Sequence, residues 1–257
     1  MCLINFHFQN HPKYKLIVAA NRDESYMRPT ASARFWEDNP SILAGRDLLQ
    51  GGTWLGITKN GRFAALTNFR DPSLPIQGQF SRGDIVKQFL AGNIEPLSFI
   101  HKLAKSRELY DGFNVIVGNS EQLYHYNNII DETNEITPGT HSLSNHTLNT
   151  PWPKVITGKT MLRDYVSTTK NNMDINPLFD ILSNQSVAED ERLPETGVGI
   201  DLERMLSPLF IKSSNYGTRS STVLLIDKEN NVTFAERVFV EGKFSEEKRF
   251  DFTIFNS

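Results

Sequence analysis

Residues 2 to 8 alternate in character. Cys2, Ile4, Phe6 and Phe8 share one face, and Leu3, Asn5 and His7 share the other. Gln9 to Pro12 reads as a turn, and the apolar, β-rich run Tyr14 to Ala20 follows it. Alternation with a period of two marks a strand, and two such runs across a short turn close an antiparallel hairpin. This hairpin constrains the rest of the chain, because the outer ends of a hairpin lie together. It therefore brings the polar cluster Asn21-Arg22-Asp23-Glu24 back beside Cys2. Such a cluster is either a solvated turn or a set of site residues.

The remaining elements follow in groups. Trp54 to Phe69 reads as a second hairpin about Lys59-Asn60-Gly61, since Asn-Gly is a strong hairpin signal. Asp84 to Leu90 and Leu97 to Leu109 have helical spacing, and Phe113 to Val117 and Gln122 to Tyr126 form another strand pair. Lys154 to Val166 and Pro177 to Leu182 read as helices. Thr222 to Ile226, Val232 to Val240 and Phe250 to Phe255 read as strands, and the polar stretch Ser183 to Thr196 as a mobile loop. Grouped strands and helices favour an antiparallel α+β protein over a parallel βαβ sheet. The expectation is two stacked sheets covered by helices, in one domain spanning residues 1–257.

Composition narrows the function. A net charge of -3 and a pI near 6.1 argue against a nucleic-acid footprint, which is normally basic. No stretch approaches the roughly 18 apolar residues of a membrane span, and no basic n-region or apolar h-region opens the chain. The six histidines show no recognised metal spacing, so no metal and no cofactor are expected, although a Cys-His dyad with His7 or His146 stays open. Cys2 is the one cysteine, which excludes an intrachain disulfide and suits a reducing, cytoplasmic location.

The position of Cys2 has a chemical consequence. Removal of Met1 would leave a thiol and an α-amine on one residue. An α-amine titrates at about 7.7–8.0, so it can serve as general base to its own nucleophile. An arginine nearby favours the thiolate, and an aspartate can orient the amine. Arg22 and Asp23 supply those residue types, with Asn21 and Glu24 beside them. Gly51-Gly52-Thr53-Trp54-Leu55-Gly56 reads either as a close backbone approach to a ligand or as a plain strand start with a buried Trp54. Asn68 and Asn145 each follow small or apolar residues, where a side-chain amide can donate to an oxyanion or simply make a turn. Arg219, in Tyr216-Gly217-Thr218-Arg219-Ser220-Ser221-Thr222, can hold a carboxylate, stabilise the thiolate or pair with a surface acid.

With these residues in view, the chain resembles the NRDE family, also called the transport and Golgi organisation 2 family. The resemblance rests on Met1-Cys2, Asn21-Arg22-Asp23-Glu24 and Gly51-Gly52-Thr53-Trp54-Leu55-Gly56. It continues through Leu66-Thr67-Asn68, Ser142-Leu143-Ser144-Asn145, Pro151-Trp152-Pro153-Lys154 and Tyr216-Gly217-Thr218-Arg219-Ser220-Ser221. The resemblance implies an N-terminal nucleophile hydrolase-like fold, a four-layer αββα sandwich of two antiparallel sheets. It is similar to that of the penicillin V acylases and bile salt hydrolases, which cleave linear amides. It carries their nucleophile to Cys2, their Arg and Asp to Arg22 and Asp23, their two asparagines to Asn68 and Asn145, and their late Arg to Arg219. One departure matters. Those enzymes space Arg and Asp three apart, whereas Arg22 and Asp23 are adjacent, and adjacent strand residues face opposite ways. One of the two is expected to reach Cys2.

Two functions follow from the resemblance. The first is a cysteine amidohydrolase acting on a linear amide or acyl substrate, with Cys2, Arg22, Asp23, Asn145 and Arg219 catalytic and Asn21, Glu24, Trp54 and Asn68 binding substrate. The second is a non-enzymatic binding or trafficking protein for an amphipathic ligand such as haem, acyl-CoA or lipid. Its pocket would draw on Phe35, Trp36, Trp54, Phe69 and Trp152, with Arg22, Arg28, Arg34 and Arg219. No Cys-Pro or Cys-x-x-Cys-His haem motif is present.

Overall fold

The computed structural model describes residues 2–75 and 78–255. Two antiparallel sheets lie face to face. The first carries β1 (Cys2–Phe8), β2 (Tyr14–Ser25), β10 (Gly139–Leu143), β11 (Tyr216–Asp227), β12 (Asn231–Val240) and β13 (Lys243–Thr253), in the order β10-β1-β2-β11-β12-β13. The second is a meander in sequence order: β3 (Thr30–Phe35), β4 (Ile42–Asp47), β5 (Leu55–Thr58), β6 (Phe63–Asn68), β7 (Phe113–Gly118), β8 (Leu123–Asn127) and β9 (Glu132–Glu135).

Period-two alternation decides which side chains enter which layer. Ile4, Phe6, Val18, Leu224 and Phe234 of the first sheet meet Leu55, Ile57, Phe63 and Ile116 of the second in the central core. The alternate residues Leu3, Ile17, Ala19, Val223 and Leu225 turn outward. There they pack under α3 (Pro153–Thr168) and α4 (Asn176–Leu182). On the other side, Ala64, Leu66, Val115 and Val117 pack against α1 (Arg82–Ala91) and α2 (Pro96–Ala104). The four-layer αββα sandwich expected from the sequence is therefore the observed fold.

The structure departs from the sequence reading in identifiable places. β2 does not end at Ala20 but runs through Asn21-Arg22-Asp23-Glu24 to Ser25, because β11 pairs alongside it as far as Tyr216 opposite Ser25. The helical pattern over 97–109 stops at Ala104 and resumes as a short 3₁₀ turn, Arg107–Leu109. β3, β4, β9, β10 and α5 (Ile200–Leu206) gave no expectation; β9 and β10, for instance, are short and largely polar. The stretch 183–196 is tied to α5 rather than left loose. Arg204 grips Asp190 through two bonds of 2.8 and 2.6 Å, and Thr196 donates to Glu203 at 2.5 Å.

A buried polar ladder crosses the second sheet near the cavity end. Asn114 Oδ1 is 3.0 Å from His125 Nε2 and accepts from Asn127, while its amide donates to Thr67 Oγ1. Thr67 in turn donates to the Ser144 carbonyl, and Ser144 Oγ is 3.1 Å from the Cys2 carbonyl. Burial holds His125 down to about 4, against an ordinary value of 6.5. The neutral ring's contribution is thus present above pH 6.5 and is lost as pH falls toward 4, by on the order of 3 kcal/mol. His125→Gln, which cannot take a proton, should flatten the fall in urea midpoint between neutral pH and about pH 4. An equally steep fall in that variant would exclude His125 as the source.

Candidate active site

The β1–β2 register places Cys2 directly opposite Arg22. Directly opposed residues in an antiparallel pair share a face, so both side chains point between the sheets. Above them lies a cavity of about 330 Å³, lined by Cys2, Arg22, Asp23, Glu24, Trp54, Asn68 and Arg219 among others. Seven of the nine residues marked out in the sequence therefore converge. Asn21 and Asn145 are the two that do not line the cavity.

Asn21 belongs to the sheet–helix packing. It is fully buried on the outward face of β2; its amide donates to the Leu182 and Leu209 carbonyls and its Oδ1 accepts from Ser221. Asn145 is also fully buried. Its Nδ2 donates to the Asn68 carbonyl at 3.0 Å, and its own carbonyl accepts from the Arg70 amide at 2.7 Å. It clamps the end of β6, which carries Asn68, to the strand end beside Cys2, and one N–H of its side-chain amide is used in doing so. His146 bonds to Thr147 and Thr150, and His7 lies on the opposite face of β1, so neither makes a dyad with Cys2.

Arg22 and Asp23 both border the cavity, where one of the two was expected. Opposite them a β-bulge lies on β11: Thr218 opposes Asp23 and Ser220 opposes Arg22, leaving Arg219 as the extra residue. The Arg22 side chain lies on the Cys2 face, with Nη1 3.1 Å from Thr30 Oγ1 and Nη2 3.9 Å from Glu24. The Asp23 backbone N–H is directed at the Cys2 sulfur, while its Oδ1 accepts from Thr218 at 2.7 Å. Burial raises the Asp23 carboxyl, and the Lys154 ammonium acts against that rise. Lys154 is itself buried, and desolvation pulls it down to about 8.

Burial pushes the Cys2 thiol up, outweighing the help it receives from Arg22 and the Asp23 N–H. The expectation of a thiolate-prone Cys2 applies to the chain without Met1, and Met1 lies outside the described residues. Arg219 lines the cavity, but its Nη1 donates to the carbonyls of Ser25, Tyr26 and Arg28 and so shapes the rim loop. Arg28 pairs with Asp47 at 2.6 Å.

Within segment 51–56, Gly52 closely approaches α1, and Thr53 and Trp54 line the cavity. A Cβ on Gly52 would lie 2.5 Å from the Gly83 carbonyl carbon, and the Thr53 amide donates to the Gly83 carbonyl of α1 at 3.1 Å. Of the aromatics proposed for a ligand pocket, Trp54 lines the cavity; Phe35, Trp36, Phe69 and Trp152 do not, and neither does Arg34. Trp36 and Trp152 are core residues.

Arg82 and Glu236 are among the lining residues that the sequence reading did not mark. Arg82, at the start of α1, donates to the Gly112 carbonyl, and burial lowers it. Glu236 accepts from the Ala33 amide at 2.6 Å, and burial raises it to about 7. An acid at the inward position after Val232 and Phe234 was the available signal for Glu236. No signal marked Arg82.

The sequence profile of the family described as Transport and Golgi organisation 2 matches residues 1–241. The human Transport and Golgi organization protein 2 homolog is 36% identical over 279 residues, covering 99% of both chains. The Drosophila melanogaster Transport and Golgi organization protein 2 is 28% identical over 266 residues, covering 92% of this chain and 91% of that one. Among solved structures, a mutant conjugated bile acid hydrolase from Clostridium perfringens aligns with a TM-score of 0.51 at 8% identity, covering 97% of each chain. That likeness is one of fold, the N-terminal nucleophile hydrolase-like sandwich.

Cys2 is the single cysteine of the sequence, so intact mass reads its reaction directly. Arg22→Leu removes a charge that favours the thiolate and should slow iodoacetamide labelling about three- to tenfold near neutral pH. Labelling at an unchanged rate would remove Arg22 from the electrostatics of the sulfur.

Proposed function

The chain belongs to the Transport and Golgi organisation 2 family, and we propose that it is an N-terminal cysteine hydrolase acting on a linear amide or acyl substrate. The observation that carries this reading is the floor of the cavity: Cys2 opposite Arg22, with the Asp23 N–H aimed at the sulfur. Once Met1 is removed, the Cys2 α-amine takes the thiol proton as sulfur attacks the substrate carbonyl. A thiol held neutral by burial suits this step, because the proton moves with the attack rather than before it. The Asn68 side-chain amide, at the cavity wall, donates to the oxyanion, and Asn145 fixes the backbone that carries it. The amine then returns the proton to the leaving nitrogen as the C–N bond breaks, giving a thioester on sulfur. Water attacks the thioester, its proton passing through the same amine, and the acid leaves as the thiol re-forms. Asp23, between Thr218 and Lys154, orients the amine. A reducing compartment such as the cytoplasm keeps the lone thiol usable.

The second reading is an amphipathic-ligand binder without turnover. What favours it is the raised thiol together with a lining rich in arginine, Arg22, Arg28, Arg46, Arg82 and Arg219. Two variants separate the readings by complementation in cells lacking the protein. The hydrolase reading expects Cys2→Ala to lose function while its melting temperature is kept. It also expects a fluorogenic linear-amide panel to leave an acyl adduct on Cys2 of the unsubstituted protein, seen by intact mass. Full function in Cys2→Ala, with loss in Arg82→Ala, would establish the binding reading instead.

A further inference from the structure

A second cavity, of about 310 Å³, opens at the far end of β1 and shares no residue with the first. His7 forms its inner wall. It lies five residues from Cys2, or about 16 Å along an extended strand, and on the opposite face. The remaining wall includes the β1–β2 turn, Thr140 of β10, and Lys159 and Arg163 of α3; Lys170 follows that helix.

Three observations point to a ligand. His7 is 5% exposed, and its Nε2 is buried without a hydrogen-bond partner. Its Nδ1 is 2.7 Å from Thr140 Oγ1; a hydroxyl donating there places the ring proton on Nε2, and the His7 residue lines the cavity. Leaving such a donor unpaired is costly in a buried site. Next, the cavity collects like charge in a chain whose net charge is -3. Lys159, Arg163 and Lys170 line it, and among the described residues no carboxylate does. Asp164, 3.4 Å from Arg163 in an exposed pair, lies outside the lining. Finally, the cations crowd one another, although Lys159 Nζ also donates to Asn149 Oδ1 at 2.9 Å. Burial lowers His7, the Asn10 backbone acts against that fall, and His11 adds to it; burial lowers Lys159, with Arg163 adding to it. His141, behind Lys159, is lowered by burial and further by Lys159 and His7. His11 is not a free donor, since its Nε2 lies 2.5 Å from the Thr169 carbonyl and its Nδ1 accepts from the Lys13 and Tyr14 amides.

We propose that this cavity binds the phosphate group of a phosphomonoester, with His7 Nε2 donating at its base and Lys159, Arg163 and Lys170 closing around the oxyanions. A dianion with three or more acceptor oxygens matches one buried N–H and three flexible or forked cations. A cavity of this volume holds the phosphate and part of the group that bears it. The phosphate can belong to a free ester or to a lipid headgroup, and the recognition chemistry is the same for both. The inference is independent of turnover at Cys2.

The test titrates the full chain with inorganic phosphate and with sulfate, read by two-dimensional amide NMR. Saturable shifts at residues 7, 140, 159 and 163 in the millimolar range are expected. Arg163→Ala combined with Lys170→Ala, both on exposed side chains, should weaken binding about tenfold and leave the melting temperature unchanged. Sulfate keeps its charge across the range, so its affinity reports on the imidazole. It should tighten as pH falls below about 6.5, since burial lowers His7 from that value, and His7→Gln should remove that dependence. Absence of saturable shifts, shifts confined to the Cys2 cavity, or unchanged affinity in the double variant would overturn the proposal. If His7→Gln does not fold, the double variant still decides. Sedimentation with phosphatidylcholine vesicles, with and without phosphatidic acid, assigns the source. Capture that needs phosphatidic acid and is lost in the double variant indicates a lipid headgroup. Phosphate binding without such capture indicates a free ester.

Discussion

Strand β2 is paired along both edges, to β1 and to β11, and the rest of the molecule is organised around that double pairing. A strand held on both sides cannot slip by one residue without turning its apolar face outward. Leu16, Val18 and Ala20 are thereby fixed in the central core, and Ile17 and Ala19 under the helices. The same alternation continues into the polar end of the strand. Asn21 is driven outward into bonds with Leu182 and Leu209 carbonyls, and Arg22 inward beside Cys2. Core packing and site geometry are thus set by one register.

The site is built from groups that are individually expensive to bury. Arg22, Asp23, Lys154 and Glu236 are all below one-tenth exposed. Buried charges are weak evidence for stability, since desolvation offsets much of their attraction. Their concentration around one thiol makes a functional explanation the better one. Asn145 shows how the arrangement is held without touching the cavity. By bonding the Asn68 carbonyl and the Arg70 amide, it joins the second sheet to the strand end that borders Cys2.

The two cavities contrast in charge. In the first, arginines face carboxylates, as in Arg28 with Asp47 and Arg22 with Glu24. In the second, lysine and arginine surround a buried imidazole with no carboxylate in the lining among the described residues. β1 carries a key side chain to each, Cys2 on its inner face and His7 on its outer face. A single seven-residue strand can do this because its two faces are chemically separate surfaces.

The sequence by itself determined the layers and most of the site. Alternation in residues 2 to 8 and 14 to 20 fixed the hairpin, the grouping of elements fixed the sandwich, and the quoted motifs marked seven residues that the cavity brings together. These signals are local, and local periodicity is readable without partners. Tertiary structure decided what depends on neighbours. β11 extended β2 through Asn21 to Ser25, so that both Arg22 and Asp23 border the cavity. Pairing with distant carbonyls turned Asn21, Asn145 and Arg219 toward structural bonds. Arg82 entered the lining because Gly52 and Gly83 let α1 approach the second sheet closely. Burial raised the Cys2 thiol, since desolvation is a property of the folded surroundings and not of the residue.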